Sequence, residues 1–311
     1  MGKYLLKKIL ISAATLFVIL LIMFLLLQFM PGSPFNDGKL SPEQIGMLRE
    51  KYGLDQPIII RFFRYVGNMF KGDLGVSYSI SANTPITTLI ATRFPITMEI
   101  GLVSLCIGTF AGVTIGLLAA FFKSKVVNAI YYVLTLIGIA VPSYLLAMFL
   151  SYWLGFKADF LPMLFDVRDP FTTSIMPVAA LSFMVMAIIG QFTKAEAMDV
   201  MNSDYVLLAR CQGLKNSTIM VNYILRNSLI PVITMAGNLL VGLLTGSLVI
   251  EQMFSIPGIG SLLTQAISSN DYNVVLGLCF LYSGMYIAVR LVLDILYCVA
   301  DPRVRLGGSR S

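Results

Sequence analysis

Six apolar stretches, at residues 9–30, 100–122, 126–156, 174–192, 229–250 and 273–299, set the limits on what this chain can fold into. About 20 apolar residues in a row is the length a helix needs to cross a hydrocarbon core ~30 Å thick. Within lipid the backbone must satisfy its own hydrogen bonds, so each stretch is read as an α-helix. With 57% hydrophobic and only 12% charged residues, the chain has too little polar side chain to cover a water-soluble globule. The expected fold class is therefore an all-α integral membrane protein with six transmembrane helices.

The cations orient these spans. With the N-terminus inside, Lys3, Lys7, Lys8, Lys123, Lys125, Lys194, Arg210, Lys215, Arg226, Arg303, Arg305 and Arg310 all fall on the cytoplasmic side. The short outer loops hold only Lys157 and Arg168, and residues 252–272 hold no Lys or Arg. This is a positive-inside pattern with both termini cytoplasmic. The seven cations of residues 31–93 belong to a loop long enough to escape that rule. The first apolar run outlasts a signal-peptide core and no A-x-A site follows it, so it is read as a retained span. Cys106, Cys211, Cys279 and Cys298 fall in spans or on the inner side, which argues against a disulfide.

Three regions follow. Residues 1–30 are the cytoplasmic N-terminus and first span, residues 31–94 an extracytoplasmic segment with short helices, and residues 95–311 a five-helix core with a cytoplasmic loop at about 193–228. In the outer segment, Ser41 as N-cap, Pro42 in the first turn and Gly53 at the end punctuate one helix. Residues 57–70, PIIIRFFRYVGNMF, form a second that lies on the membrane surface or packs on the bundle.

Enzymatic readings find little support. The chain has no His, which excludes His-based triads and HExxH or other His-ligated metal sites. It has no G-x-x-x-x-G-K-[ST], hence no P-loop of its own. No catalytic residue and no metal ligand is assigned. The few ionisable groups at membrane depth are Glu99, Glu251, Arg290 and Asp294. Arg290 and Asp294 stand one helical turn apart and can pair on one face, either as a neutralised pair or as a gate or pathway contact. Glu251, beside an outer turn, has either an interfacial or a gating role. Gly108, Gly112 and Gly116, and again Gly242 and Gly246, repeat at intervals of four. Such spacing lets helix backbones approach closely, within this chain or against a second membrane subunit. Pro142 and Pro177 are positioned to kink their spans.

Between two apolar stretches lies a polar island at 204–231, DYVLLARCQGLKNSTIMVNYILRNSLIP. Asp204 can cap a short helix, VLLARCQ favours helix, and Gly213 is placed to end it. A helix outside the membrane then leads through a turn back into the bilayer.

Asp204-Tyr205, Ala209-Arg210, Gly213-Leu214 and the LRNSLIP run at 225–231 resemble the cytoplasmic coupling loop, or EAA loop, of ATP-binding cassette importer permeases. The form is that of the oligopeptide and dipeptide (B-type) permeases. LLLQFMPGSP (25–34), KYGLDQP (51–57), GDLGVSY (72–78), VPSYLL (141–146), VIEQMFSIPGIGSLLTQAI (249–267) and LDILYCVADPRVR (293–305) point to the same subfamily, in order along nearly the whole chain. The resemblance implies a type I importer fold and a permease that forms half of a translocation pathway for oligopeptides or dipeptides. Its implied partners are a homologous second permease, two cytoplasmic ATPases that use ATP and Mg, an external binding protein and membrane lipids, with no cofactor on this chain and no role for nucleic acid. The implied setting is a bacterial or archaeal cytoplasmic membrane.

In that resemblance Asp204, Tyr205, Ala209, Arg210, Gly213 and Leu214 form the ATPase-coupling site. Ala209 would be small enough to enter an ATPase groove, and Asp204 and Arg210 would be polar contacts at its rim. Leu207, Leu208 and Ala209 stand where the general loop has Glu-Ala-Ala, Arg290 stands where peptide permeases have Asn, and 158–170 lacks the family's Gly after LPxx. Nickel or metal-chelate cargo is an alternative within the family. A stand-alone secondary carrier and an intramembrane hydrolase are the rivals outside it. The first lacks repeats and coupling charges, the second a mid-span Lys or Asp pair.

Overall fold

The computed structural model describes residues 2–29, 43, 46, 47, 50, 53, 55–122, 124–244 and 248–300. The helix expected at 41–53 lies mostly outside the described residues, and Gly246 lies outside them. The described chain is helical, with one isolated β-bridge between Val76 and Pro85. Its helices are α1 (Gly2–Phe29), α2 (Ile58–Met69), α3 (Ile86–Phe121), α4 (Lys125–Ala140), α5 (Ser143–Leu150, prolonged by a π-helical stretch Ser151–Lys157) and α6 (Pro170–Met201). There follow α7 (Asp204–Cys211), α8 (Asn216–Thr218), a π-helical stretch Ile219–Leu225, α9 (Arg226–Leu244), α10 (Leu248–Met253), α11 (Ile259–Ser268) and α12 (Tyr272–Ala300).

Among the described residues four helices are long and apolar enough to cross a membrane by themselves, α1, α3, α6 and α12, and two bent pairs bring the number of spans to as many as six. One of these pairs breaks at a proline expected to kink its span. The apolar stretch 126–156, within which one span was expected, turns by 104° between α4 and α5. The break falls at Val141-Pro142: Pro142 has no N–H for the preceding turn, and Val141, restricted by the proline that follows it, is extended at φ −89°, ψ 118°. Pro177 behaves differently, lying buried inside the unbroken α6. A third proline, Pro231, sits near the 44° bend of the other pair, Asn216–Leu229 with Pro231–Leu244.

The chain divides into two compact units. The first comprises Met1–Ile96 and Pro257–Ala288. Its core joins Leu20, Phe24 and Leu27 of α1, Phe62 and Met69 of α2, Ile86 and Ile90 of α3, Ile259 and Leu262 of α11, and Leu278 of α12. Phe62 anchors α2, meeting Phe17 and Phe24 edge-on at 5.4 Å each, the arrangement that aromatic quadrupoles favour. A polar clasp secures the loop after α2. Asp271 is fully buried, and its Oδ2 accepts from Ser77 Oγ at 2.6 Å and from the backbone N–H of Tyr78, Ser79 and Ile80 at 2.9, 2.9 and 3.3 Å.

The second unit comprises Thr97–Ile256 and Val289–Ser311, and α6 is its axis. Asp169 caps α6 by accepting from Thr172 N, and Pro170 opens the first turn, where a missing N–H costs nothing. Helices α4, α5 and α9 pack against α6. So does α3, through glycines: a Cβ on Gly108, Gly112 or Gly116 would stand 2.6–2.7 Å from Val185, from the Met186 carbonyl or from the Gly190 carbonyl of α6.

Candidate functional site

Two residues separate the end of α6 from the start of helix α7. Its N-cap position is held by Ser203, whose hydroxyl donates back to the Val200 carbonyl at 2.6 Å and does not cap α7. Asp204, expected as the cap, is instead the first helical residue, where its charge still suits the positive end of the helix. The C-terminus follows local chemistry closely. Gly213 adopts φ +74°, its N–H bonds to the Arg210 carbonyl at 3.0 Å, and the Leu214 N–H reaches the Ala209 carbonyl at 3.3 Å. That pair of bonds is a Schellman motif, which requires the left-handed residue that glycine supplies without strain.

Two faces result. Val206 and Ala209, one turn apart, are buried with Ala197 of α6 and with Ile219 and Ile224 of the following π-helical stretch; Leu117, Phe121 and Leu214 pack around them. The expectation that Ala209 enters a groove in a partner therefore gives way: it is 2% exposed and seats α7 on its own subunit. On the outer face Leu207 and Leu208 are 60% and 59% exposed, flanked by exposed Tyr205, Arg210 and Cys211. Two adjacent bare leucines on a short polar helix form a surface suited to a partner. In the sequence they belong to the helix-favouring VLLARCQ run and stand where the general loop has Glu-Ala, which does not show them exposed. Their exposure depends on which residues the loop core recruits.

The other expected residues lie elsewhere in the second unit. Glu251, in α10, is 4% exposed, and its Oε1 accepts from Thr97 Oγ1 at 2.8 Å. That partner, 154 positions away, was not foreseen, and a buried carboxylate needs such a donor. Arg290 of α12 donates from Nη1 to Asn238 Oδ1 of α9 at 3.2 Å, with Asp294 half-buried one turn further on. Gly108, Gly112 and Gly116 are spent on packing inside this chain, whereas a Cβ on Gly242 would meet nothing within 4 Å.

Family models match both parts of the chain: an N-terminal model for membrane components of binding-protein-dependent transport systems over residues 1–101, and the inner membrane component itself over residues 112–306. The chain belongs to the binding-protein-dependent transport system inner membrane components. It is a transport permease rather than an enzyme. Relatives include a dipeptide transport system permease protein of Lactococcus lactis, 40% identical over 98% of this chain and 100% of the relative. An oligopeptide transport system permease protein of Haemophilus influenzae is 32% identical over 98% of this chain and 100% of its own length. Among solved structures, an amino acid ABC transporter superposes with a TM-score of 0.55 at 14% identity, covering 67% of this permease and 92% of that chain. The MetNI methionine ABC transporter gives 0.53 at 15% identity, covering 68% and 97%. The fold is that of type I ABC importer permeases, in a multi-pass membrane protein.

Proposed function

We propose that this permease forms half of the pathway of an ATP-driven peptide importer, with α7 as the helix through which the energy of ATP enters. The supporting observation is the two-faced geometry of α7: Val206 and Ala209 lock it to α6, and Leu207 and Leu208 stand bare on the opposite face. Relatives named for dipeptides and oligopeptides along 98% of the chain support the choice of cargo. The permease sits in a bacterial cytoplasmic membrane with both termini and α7 inside. A homologous second permease completes the pathway, and the open side of Gly242 suits the seam between the two. Two ATPases, using ATP and Mg, grip α7 and its counterpart, while an external binding protein delivers the peptide. Closure of the ATPases draws the two helices together. Because α7 is packed on α6, the second unit's axis moves with it and the pathway alternates its access.

Reconstitution of the full complex in liposomes tests this with Leu207→Glu/Leu208→Glu beside wild type. A charge on each leucine keeps the buried face intact and disrupts the partner face. Peptide-stimulated hydrolysis and uptake should fall together by about tenfold or more, the scale of a lost interface anchor. Wild-type uptake by the double variant, or uptake without ATPases, would overturn the reading.

A further inference from the structure

Lys194 lies on α6 one turn before Ala197, the residue that α7 grips, and is only 9% exposed. Its Nζ donates to Asn128 Oδ1 at 2.8 Å and stands over two rings of α4, 4.2 Å from the Tyr131 centroid and 4.3 Å from that of Tyr132. Among the described residues it has no carboxylate partner. The cation is held instead by two π faces and one amide oxygen, a set that stabilises charge without an ion pair.

A second contact shows the register. A Cβ on Gly138 of α4 would stand 2.5 Å from Ala187 Cβ of α6. Gly138 lies seven positions after Tyr131, and Ala187 seven before Lys194. The two helices therefore run antiparallel, joined at two levels roughly 10 Å apart. At the Gly138 level the backbones meet directly, in a contact too close to slide. At the Lys194 level a flexible four-carbon stem bridges them, and it can be made and broken without stranding a buried carboxylate.

We propose that Lys194 is a positioning residue that latches the end of α4 to the lever formed by α6 and α7, so that movement of α7 is passed to α4. The inference rests on the coupling role proposed for α7. That role sends the energy of ATP into α6 at Ala197, and one helical turn separates this point from the latch. The pull on α6 reaches α4 through the ammonium and its two rings. Without the cation α4 keeps its hinge at Gly138 but no longer follows α6 at Lys194, and hydrolysis runs on without full transport.

The test is the number of peptides imported per ATP hydrolysed by the complete transporter in liposomes, for wild type, Lys194→Met, Lys194→Arg and Tyr132→Leu. Tyr132 is 60% exposed, so its replacement removes one π face while leaving the core filled. Lys194→Met should retain peptide-independent hydrolysis and lose about fivefold or more in peptides per ATP, the lower end of measured coupling between sites. Lys194→Arg, which keeps the cation and stacks on aromatic rings, should recover most of that loss, and Tyr132→Leu should fall between. Wild-type stoichiometry in Lys194→Met overturns the latch. Equal loss in Lys194→Met and Lys194→Arg also overturns it, by showing that only shape matters there. If Lys194→Met does not assemble, unchanged stoichiometry in Tyr132→Leu overturns the latch by itself. A wild-type complex that imports without ATP hydrolysis refutes the coupling role of α7, an outcome distinct from all of these.

Discussion

Asp271 shows how much can depend on one side chain that local sequence does not single out. Its Oδ2 serves one hydroxyl and three successive backbone N–H groups, all from residues 77–80, 191 to 194 positions away. Successive N–H groups converging on an anion form a nest, and here the protein fills the nest from within. Asp271→Ala would take the shared acceptor away from the buried Ser77 hydroxyl and from three part-buried N–H groups. At about 1–3 kcal/mol per orphaned group, partly relieved by water, the first unit should lose roughly 3–6 kcal/mol. Asp271→Asn keeps an acceptor oxygen without the charge and should lose about half as much. The melting temperature of the detergent-solubilised permease checks this, and equal melting of Asp271→Ala and wild type would contradict it. Gly213 is the opposite case. Its role was legible in the sequence because a helix cap is built from neighbours, whereas the nest of Asp271 exists only once distant segments meet.

At the scale of elements, the repeat Gly108-Gly112-Gly116 was legible as a packing seam but not its partner. The structure assigns it to α6. A Cβ on Gly112 would stand 2.7 Å from the Met186 carbonyl, a backbone atom that cannot move without shifting the helix. Gly112→Leu should therefore destabilise the second unit by about 1–3 kcal/mol or more, the usual cost of overpacking. Gly242→Ala, with no atom within 4 Å of its new carbon, should leave the stability of the isolated permease unchanged. Thermal unfolding of the two variants checks the contrast, and equal losses would show that the spacing alone decides. The turn at Pro142 belongs to the same scale. Hydrophobicity reported an apolar stretch from 126 to 156, and hydrophobicity is silent about direction. The proline supplied a place for a break, yet Pro177 sits inside an unbroken helix, so a proline by itself does not end one.

At the scale of the whole molecule, the orientation proposed from the positive-inside pattern predicts which side of the membrane α7 occupies. Cys211 is exposed at the end of α7. In a variant keeping only this cysteine, a membrane-impermeant maleimide should label inside-out vesicles and not sealed right-side-out ones, and bound ATPases should slow the labelling. Labelling from the outside alone would invert the topology. The sequence by itself determined the helical class, the apolar spans and the helix that Gly213 ends, because these rest on composition and on interactions within a few residues. Tertiary structure alone decided that Ala209 faces inward and Leu207 and Leu208 outward, that Thr97 satisfies Glu251, and that Lys194 is caged by Tyr131 and Tyr132. Each of those depends on which side chain a distant segment brings within a few ångströms. A helical period shows that a side chain has a face, but the neighbour across that face is chosen only when the chain packs.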